Sequence, residues 1–122
     1  MKHLVKGRKF SRVKKVRTAL LKTLLGSFVV KEKITTTEAK AKEIKPMIDK
    51  IITKAKKISN SNEEKKVAIL RDLRKELPLM AVKKLSGDFV ARFSTRTSGY
   101  ARILKIAQRK SDGAKMAIIE FV

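Results

Sequence analysis

The sequence predicts a two-layer α+β domain, with helices packed on one face of a small mixed three-stranded sheet. Three observations lead to this prediction. Apolar residues recur at spacings of three and four between residues 11 and 86, as in amphipathic helices. A β-branched run at 34–37 is typical of a strand. Alternating residues at 99–108 lead through Asp112-Gly113 to a final apolar run at 116–122, as in a hairpin. The predicted order is therefore α-β-α-α-α-β-β.

The first helix is predicted from Ser11, a residue type that often caps helix N-termini, to about Lys31. Gly26 inside it weakens the helix relative to alanine. Residues 2–10 lack apolar periodicity, so we expect a basic arm at 1–10 that becomes ordered only on a partner, followed by a single domain at 11–122. The apolar stripe of the helix should comprise Val13, Val16, Leu20, Leu24 and Phe28, broadened by Leu21, Leu25 and Val29.

The second helix follows the 34–37 strand, and Thr35 with Glu38 forms a capping-box pattern at its start. Pro46 lies inside this helix and removes one backbone hydrogen bond, so we expect a kink at 42–46. The buried face of the helix should comprise Ala41, Ile44, Ile48, Ile51, Ile52, Ala55 and Ile58.

Two shorter helices are predicted next. Ser61 with Glu64 gives a second capping-box pattern, and Pro78 suits the first turn of a fourth helix that ends at Gly87. The apolar positions of these two helices are Val67, Leu70, Leu73 and Leu77, followed by Ala81, Val82 and Leu85.

The composition excludes several classes of site. The chain of 122 residues contains no cysteine, which rules out disulfides and thiolate metal sites, and its one histidine, His3, lies in the arm. The carboxylates of 63–76 alternate with Lys and Arg, as in solvated helical ion pairs, and the glycines are scattered singly. We therefore predict no enzymatic activity, no metal and no cofactor. With no apolar run of transmembrane length and no signal-peptide pattern, we expect an intracellular protein without a membrane partner.

The positive charge is segregated along the chain. The formal net charge is +21, yet segments 1–31 and 89–111 contain no Asp or Glu. Because such segregation costs self-repulsion, we expect an anionic partner, and a nucleic acid backbone has the required charge density. The candidate binding residues of the first segment are Lys2, His3, Lys6, Arg8, Lys9, Arg12, Lys14, Lys15, Arg17 and Lys22. Those of the second segment are Arg92, Arg96, Tyr100, Arg102, Arg109 and Lys110.

The aromatic content indicates how a nucleic acid would be bound. Aromatic residues make up 5% of the chain, and Phe28, Phe89, Phe93 and Phe121 fall at positions typical of a core, which argues against a base-stacking platform. Backbone and shape recognition of folded RNA fits this pattern. Charge alone leaves open an architectural DNA-binding protein. A basic protein at a membrane surface would need the first helix free of the core, and the capped, sequentially packed elements argue against it.

Three motifs together resemble the L seventeen family of bacterial large-subunit ribosomal proteins. They are Gly7-Arg8-Lys9-Phe10, the run from Ile34 to Glu43, and Ser98-Gly99-Tyr100-Ala101-Arg102-Ile103-Leu104-Lys105, and the similarity extends to the closing Met116–Phe121 segment. The resemblance implies a structural protein that binds large-subunit ribosomal RNA, has neighbouring ribosomal proteins as partners and has no catalytic role. It further implies a bacterial cytoplasmic ribosome, and we expect a monomer outside it.

Within that interpretation, the arm and first helix thread between RNA helices, and the second basic segment clamps another RNA segment. Arg92, Arg96 and Arg102 are the predicted phosphate clamp, with the first two in a loop between 92 and 100. Replacing any of them by alanine should lower RNA affinity with little effect on stability. Arg102 has an alternative role, which is a cross-strand pair with Glu120.

Overall fold

The computed structural model of the chain describes residues 3–4 and 6–122. The predicted order of elements is confirmed, and a 3-10 helix that the sequence pattern did not predict is inserted before the hairpin. The elements are α1 (Lys14–Lys31), β1 (Lys33–Thr37), α2 (Glu38–Lys56), α3 (Glu63–Glu76), α4 (Leu79–Leu85), the 3-10 helix (Asp88–Phe93), β2 (Ala101–Lys105) and β3 (Met116–Phe121).

The three strands form an antiparallel sheet in the order β1-β3-β2. The expected mixed sheet is wrong in this respect, because β3 lies between β1 and β2 and runs antiparallel to both. Ile119 pairs with Ile34 on one side and with Ile103 on the other. On β3, Ala117, Ile119 and Phe121 are buried under the helices, while the alternating residues are partly exposed, as the two-residue period of a strand requires.

Helix α2 forms the centre of the core. All seven apolar residues predicted for its inner face are buried, although Ile58 lies beyond the end of the helix at Lys56. The helix continues through Pro46, which lies on the exposed side. The predicted kink stays a prediction. The capping box from Thr35 is wrong, because Thr35 lies within β1 and the helix is capped at Thr37 without a side-chain hydrogen bond.

Helix α1 buries only the second half of the predicted stripe. It begins at Lys14 rather than Ser11, whose φ of 54° is left-handed, and its fully buried residues all lie in its second half. Leu25, Phe28 and Val29 are buried, whereas Val13 and Val16 are 70% and 52% exposed. The first half of α1 therefore contributes little to the core and leaves its apolar and basic side chains accessible.

Gly26 allows α1 and α4 to approach closely. A Cβ atom at this position would lie 2.5 Å and 2.6 Å from two ring carbons of Pro78. The glycine therefore serves helix packing, which offsets its low helix propensity. Pro78 itself is the N-cap of α4 rather than a residue of its first turn.

The ends of α3 and α4 differ slightly from the prediction. The cap of α3 is Asn62, whose side chain accepts a hydrogen bond of 3.0 Å from the backbone N–H of Lys65, so the Ser61–Glu64 capping box is wrong. Leu73 and Leu77 are buried, whereas Val67 is exposed. The last residue of α4 is Leu85, and its apolar positions are buried as predicted.

An aromatic cluster joins the 3-10 helix to the sheet. The ring centroid of Phe93 lies 5.5 Å from that of Phe89, 5.4 Å from that of Tyr100 and 5.5 Å from that of Phe121. Phe121 also stacks on Phe28 at 4.3 Å. Because the chain passes through this cluster at both Phe93 and Tyr100, the loop at 94–100 is held at its two ends.

The hairpin turn at Asp112-Gly113 is confirmed. Gly113 has a φ of +68°, and its backbone N–H donates to the carbonyl of Arg109 at 2.8 Å. β2 is shorter than the predicted strand, so the connection to β3, which we term the hairpin loop, spans residues 106–115.

Candidate nucleic-acid interface

The basic residues of the arm and of the first half of α1 form an accessible surface, which we term the arm–α1 surface. Among the described residues, no carboxylate lies within ion-pairing distance of any of them except Arg8. Its positive charge is therefore largely uncompensated within the described protein. The surface comprises Lys6, Arg8, Lys9, Arg12, Lys14, Lys15, Arg17 and Lys22. Lys2 lies outside the described residues, and His3 is exposed.

Two arginines organise the junction between the arm and α1. The guanidinium of Arg12 donates to the carbonyl of Phe10 at 2.7 Å, and that of Arg17 donates to the carbonyl of Arg12 at 3.2 Å. The backbone N–H of Arg12 also bonds to the carbonyl of Lys9 at 3.2 Å, closing a turn. These local bonds redirect the chain between the arm and the helix.

Arg8 connects the arm to α2. Its backbone N–H and its guanidinium both donate to the carboxylate of Glu43, at 3.2 Å and 3.0 Å. The sequence pattern does not predict this contact, because its two residues lie far apart in the chain.

Three arginines of the second basic segment are paired with carboxylates. Arg92 bonds to Glu32, Arg102 bonds to Glu120 at 2.8 Å, and Arg109 bonds to both oxygens of Asp112 at 2.9 Å and 2.7 Å. The cross-strand pair considered for Arg102 is therefore present. The absence of acids from 89–111 in sequence does not leave these arginines unopposed in space.

The pKa values of two of these carboxylates reflect the pairing. The hydrogen bond from Arg109 lowers the pKa of Asp112 to about 2, and that from Arg102 lowers the pKa of Glu120. Both carboxylates are therefore ionised at neutral pH and compensate their arginines.

Arg96 and Lys110 are exposed and, among the described residues, have no carboxylate partner. The guanidinium of Arg96 donates a hydrogen bond to the carbonyl of Gly99 at 3.4 Å. These two residues keep the charge that the sequence analysis assigned to the second basic segment. Arg92 belongs to the 3-10 helix and Arg96 to the loop that follows, so the loop predicted from 92 is shorter than expected.

Tyr100 is a core residue rather than a surface contact. It is 1% exposed. Its hydroxyl accepts a hydrogen bond from Nζ of Lys56 and donates one to the carbonyl of Arg96, each at 3.3 Å. Its backbone N–H donates to Asp49 at 3.2 Å. The expectation that Tyr100 contacts RNA is therefore wrong for this fold, because its ring fills the core and its polar groups hold the Arg96 loop against α2.

The second basic segment is divided between the two ends of α2. Near the first turn of α2, Lys105 approaches Glu38 at 3.7 Å, and a cleft of about 310 Å³ is lined by Arg8, Lys42 and Lys115. Near the last turn, Lys56 donates to the carbonyl of Arg96. The structure therefore brings the end of the arm at Arg8, which we term the root of the arm, close to the hairpin loop. It places Arg96 at the opposite end of α2.

Other kinds of site are not found in the described part of the chain. Among residues 3–4 and 6–122, no three His, Asp or Glu side chains are grouped closely enough to hold a metal ion. Over the same residues, no helix has both the length and the apolar character needed to cross a bilayer.

Comparison with known proteins identifies clear relatives. Residues 20–122 match the family model described as ribosomal protein L17. The chain is 42% identical over 116 residues to a large ribosomal subunit protein bL17 of Shouchella clausii, covering 93% of this chain and 97% of the relative. It is 39% identical over 124 aligned positions to the protein of the same description in Petrotoga mobilis, and 40% identical over 123 to that in Hydrogenobaculum. Those two alignments cover the whole of this chain and 97% and 99% of the relatives, so they include the arm.

Proposed function

We propose, because this chain belongs to the ribosomal protein L17 family, that it binds and organises large-subunit ribosomal RNA through phosphate contacts. Membership makes it a structural constituent of the large ribosomal subunit rather than an enzyme. It acts in the cytoplasmic ribosome of a bacterium, among neighbouring large-subunit proteins, and we propose that it is a monomer before it assembles.

The arm–α1 surface is the observation that carries this proposal. Its side chains are accessible, and they have almost no carboxylate partners within the described protein. A surface of this kind binds phosphates with the most favourable free energy, because binding releases counterions from the RNA without first breaking protein ion pairs. The exposed Val13 and Val16 lie at the start of α1 and would be covered by an RNA groove or a neighbour.

The second basic segment contributes less in this proposal than its sequence suggests. Arg96 and Lys110 remain available for phosphate contacts, whereas Arg92, Arg102 and Arg109 each hold a carboxylate. A phosphate would have to compete with that carboxylate or share the guanidinium with it. We therefore place the arm–α1 surface first and the pair Arg96 and Lys110 second.

Deleting residues 2–10 should weaken binding to a large-subunit ribosomal RNA transcript while leaving the thermal midpoint of the free protein nearly unchanged. Most of the described charge of the arm is uncompensated, and none of its described residues belongs to the buried core. Filter binding and thermal unfolding of the same two proteins would measure both effects. Loss of cooperative unfolding with the arm would show that it belongs to the domain. Duplex DNA and anionic vesicles should compete for this binding less effectively than ribosomal RNA does. Equal competition by either of them would favour the alternative functions.

Arg96→Ala should weaken RNA binding more than Arg102→Ala. The two changes remove the same charge, but Arg102 is already compensated by Glu120 and Arg96 is not. Filter binding at one fixed salt concentration, with thermal unfolding alongside, would compare them. Equal losses would show that the pair with Glu120 opens when RNA binds. A stability loss with unchanged binding for Arg102→Ala would remove that residue from the interface.

A further inference from the structure

Glu43 is an acidic residue that holds the basic arm. Its two carboxylate oxygens accept separate hydrogen bonds from Arg8, one from the backbone N–H and one from the guanidinium. The side chain of Glu43 is only 16% exposed, compared with 46% for Arg8. Two bonds to one residue fix both the backbone position and the side-chain direction at the root of the arm.

Gly7 makes this contact possible. Its φ of +91° is a left-handed conformation that favours glycine, and a Cβ atom there would lie 2.9 Å from an oxygen of Glu43. Any side chain at position 7 would strain the backbone and push the carboxylate away from Arg8. The Gly7-Arg8 dipeptide and Glu43 therefore form one local arrangement, although they belong to separate sequence motifs.

The contact also determines where the arm leaves the domain. Arg8 lines one cleft together with Lys42 and with Lys115 at the end of the hairpin loop. With the root held there, the charges of the arm start beside those of the hairpin loop. If the contact opened, the arm would pivot about the turn at Lys9–Arg12, and binding would have to restrict it again.

We propose that Glu43 is a positioning residue for RNA binding, which raises the affinity of the protein for a polyanion by anchoring the arm. This inference rests on the proposed function of the arm. It predicts a change in RNA affinity that is opposite in sign to the change expected from long-range electrostatics alone. Removing a negative charge should tighten binding to RNA by long-range attraction, whereas removing the anchor should weaken it because the arm is no longer preorganised.

The test compares Glu43→Gln with Glu64→Gln. Both changes raise the net charge by one and keep the side-chain shape, but Glu64 is an exposed residue of α3 that makes no ion pair among the described residues. Binding to a large-subunit ribosomal RNA transcript should be about threefold to tenfold weaker for Glu43→Gln, the range expected when a preorganised segment becomes free. It should be unchanged or slightly tighter for Glu64→Gln.

Two further measurements separate anchoring from a general structural role. Glu43→Gln introduced into the chain lacking residues 2–10 should leave the RNA affinity unchanged or slightly raised, as for Glu64→Gln, because the group it anchors is gone. In the RNA-free full-length protein, the Arg8 amide should exchange its hydrogen faster after Glu43→Gln while the core amides stay unchanged.

The outcomes distinguish this inference from the proposed function. If the arm deletion weakens binding but Glu43→Gln binds as tightly as Glu64→Gln, the anchoring role is overturned and the RNA-binding role of the arm stands. If Glu43→Gln weakens binding equally with and without the arm, Glu43 acts on the domain instead and the inference is again wrong. If the arm deletion itself binds with full affinity, the proposed function of the arm fails together with the inference.

Discussion

The affinity of this protein for large-subunit ribosomal RNA should fall by roughly 10³–10⁵ when the monovalent salt concentration is raised from about 50 to about 200 mM, which is the loss expected for about six to ten phosphate contacts. The arm–α1 surface and the pair Arg96 and Lys110 supply enough accessible cations for that number of contacts. Equilibrium binding to a ribosomal RNA transcript at four or five salt concentrations would give the slope of log affinity against log salt.

The chain lacking residues 2–10 is the control for this titration. It has lost Lys2, Lys6, Arg8 and Lys9, so its slope should be shallower by about 0.7–0.9 for each of those residues that contacts a phosphate. An affinity that does not change with salt would show that the contacts are not made to phosphates. Equal slopes for the two chains would show that the arm makes no phosphate contacts.

Helix α2 could be predicted almost completely from the sequence. Its apolar residues recur with a helical period over the length of the helix, and the opposite side is polar, so only one face can be buried. The structure buries every residue predicted for that face. Its start was less predictable, because Thr35, Thr36 and Thr37 all suit a helix cap and the extent of β1 decides which of them takes that place.

Helix α1 could be predicted only in part from the sequence. Its predicted apolar positions recur at helical spacing from Val13 to Val29. Leu25, Phe28 and Val29 are buried, whereas Val13 and Val16 stay exposed, because the rest of the domain covers mainly the second half of the helix. The extent of the neighbouring elements is a tertiary property, and local spacing carries no information about it.

The candidate interface was predictable in one half and not in the other. The acid-free segment that includes the arm stays largely unpaired in the fold, since Arg8 alone among its described cations has a carboxylate partner. The acid-free segment at 89–111 folds against Glu32 and Glu120. The sequence pattern indicated the pair of Arg102 with Glu120 as an alternative, whereas the distance along the chain between Arg92 and Glu32 hides their pairing. Tyr100 was misinterpreted for a similar reason, because its basic sequence neighbours point outward while its ring points into the aromatic cluster.

Phe93→Ala should lower the free energy of unfolding by about 3–5 kcal/mol, the usual cost of removing a fully buried phenylalanine ring. Phe93 is completely buried and contacts Phe89, Tyr100 and Phe121, so its loss would leave a cavity that three rigid rings cannot easily fill. Because domains of this size are stable by about 5–15 kcal/mol, the variant should unfold at clearly lower urea concentrations.

Phe10→Ala is the matched control, since it makes the same substitution in the arm, outside the core cluster. It should change the unfolding midpoint far less, within about 0.5 kcal/mol as for other surface changes. Urea unfolding followed by circular dichroism would measure both variants under the same conditions.

The Phe93 variant should also lose RNA affinity where it is still folded, because Phe93 and Tyr100 together hold the loop that presents Arg96. A loss of less than about 1 kcal/mol for Phe93→Ala would mean that the cluster closes over the cavity, since the cost of such a change depends on how well the site can collapse. The loop that presents Arg96 would then stay held by the contacts that Tyr100 and Lys56 make with the carbonyl of Arg96.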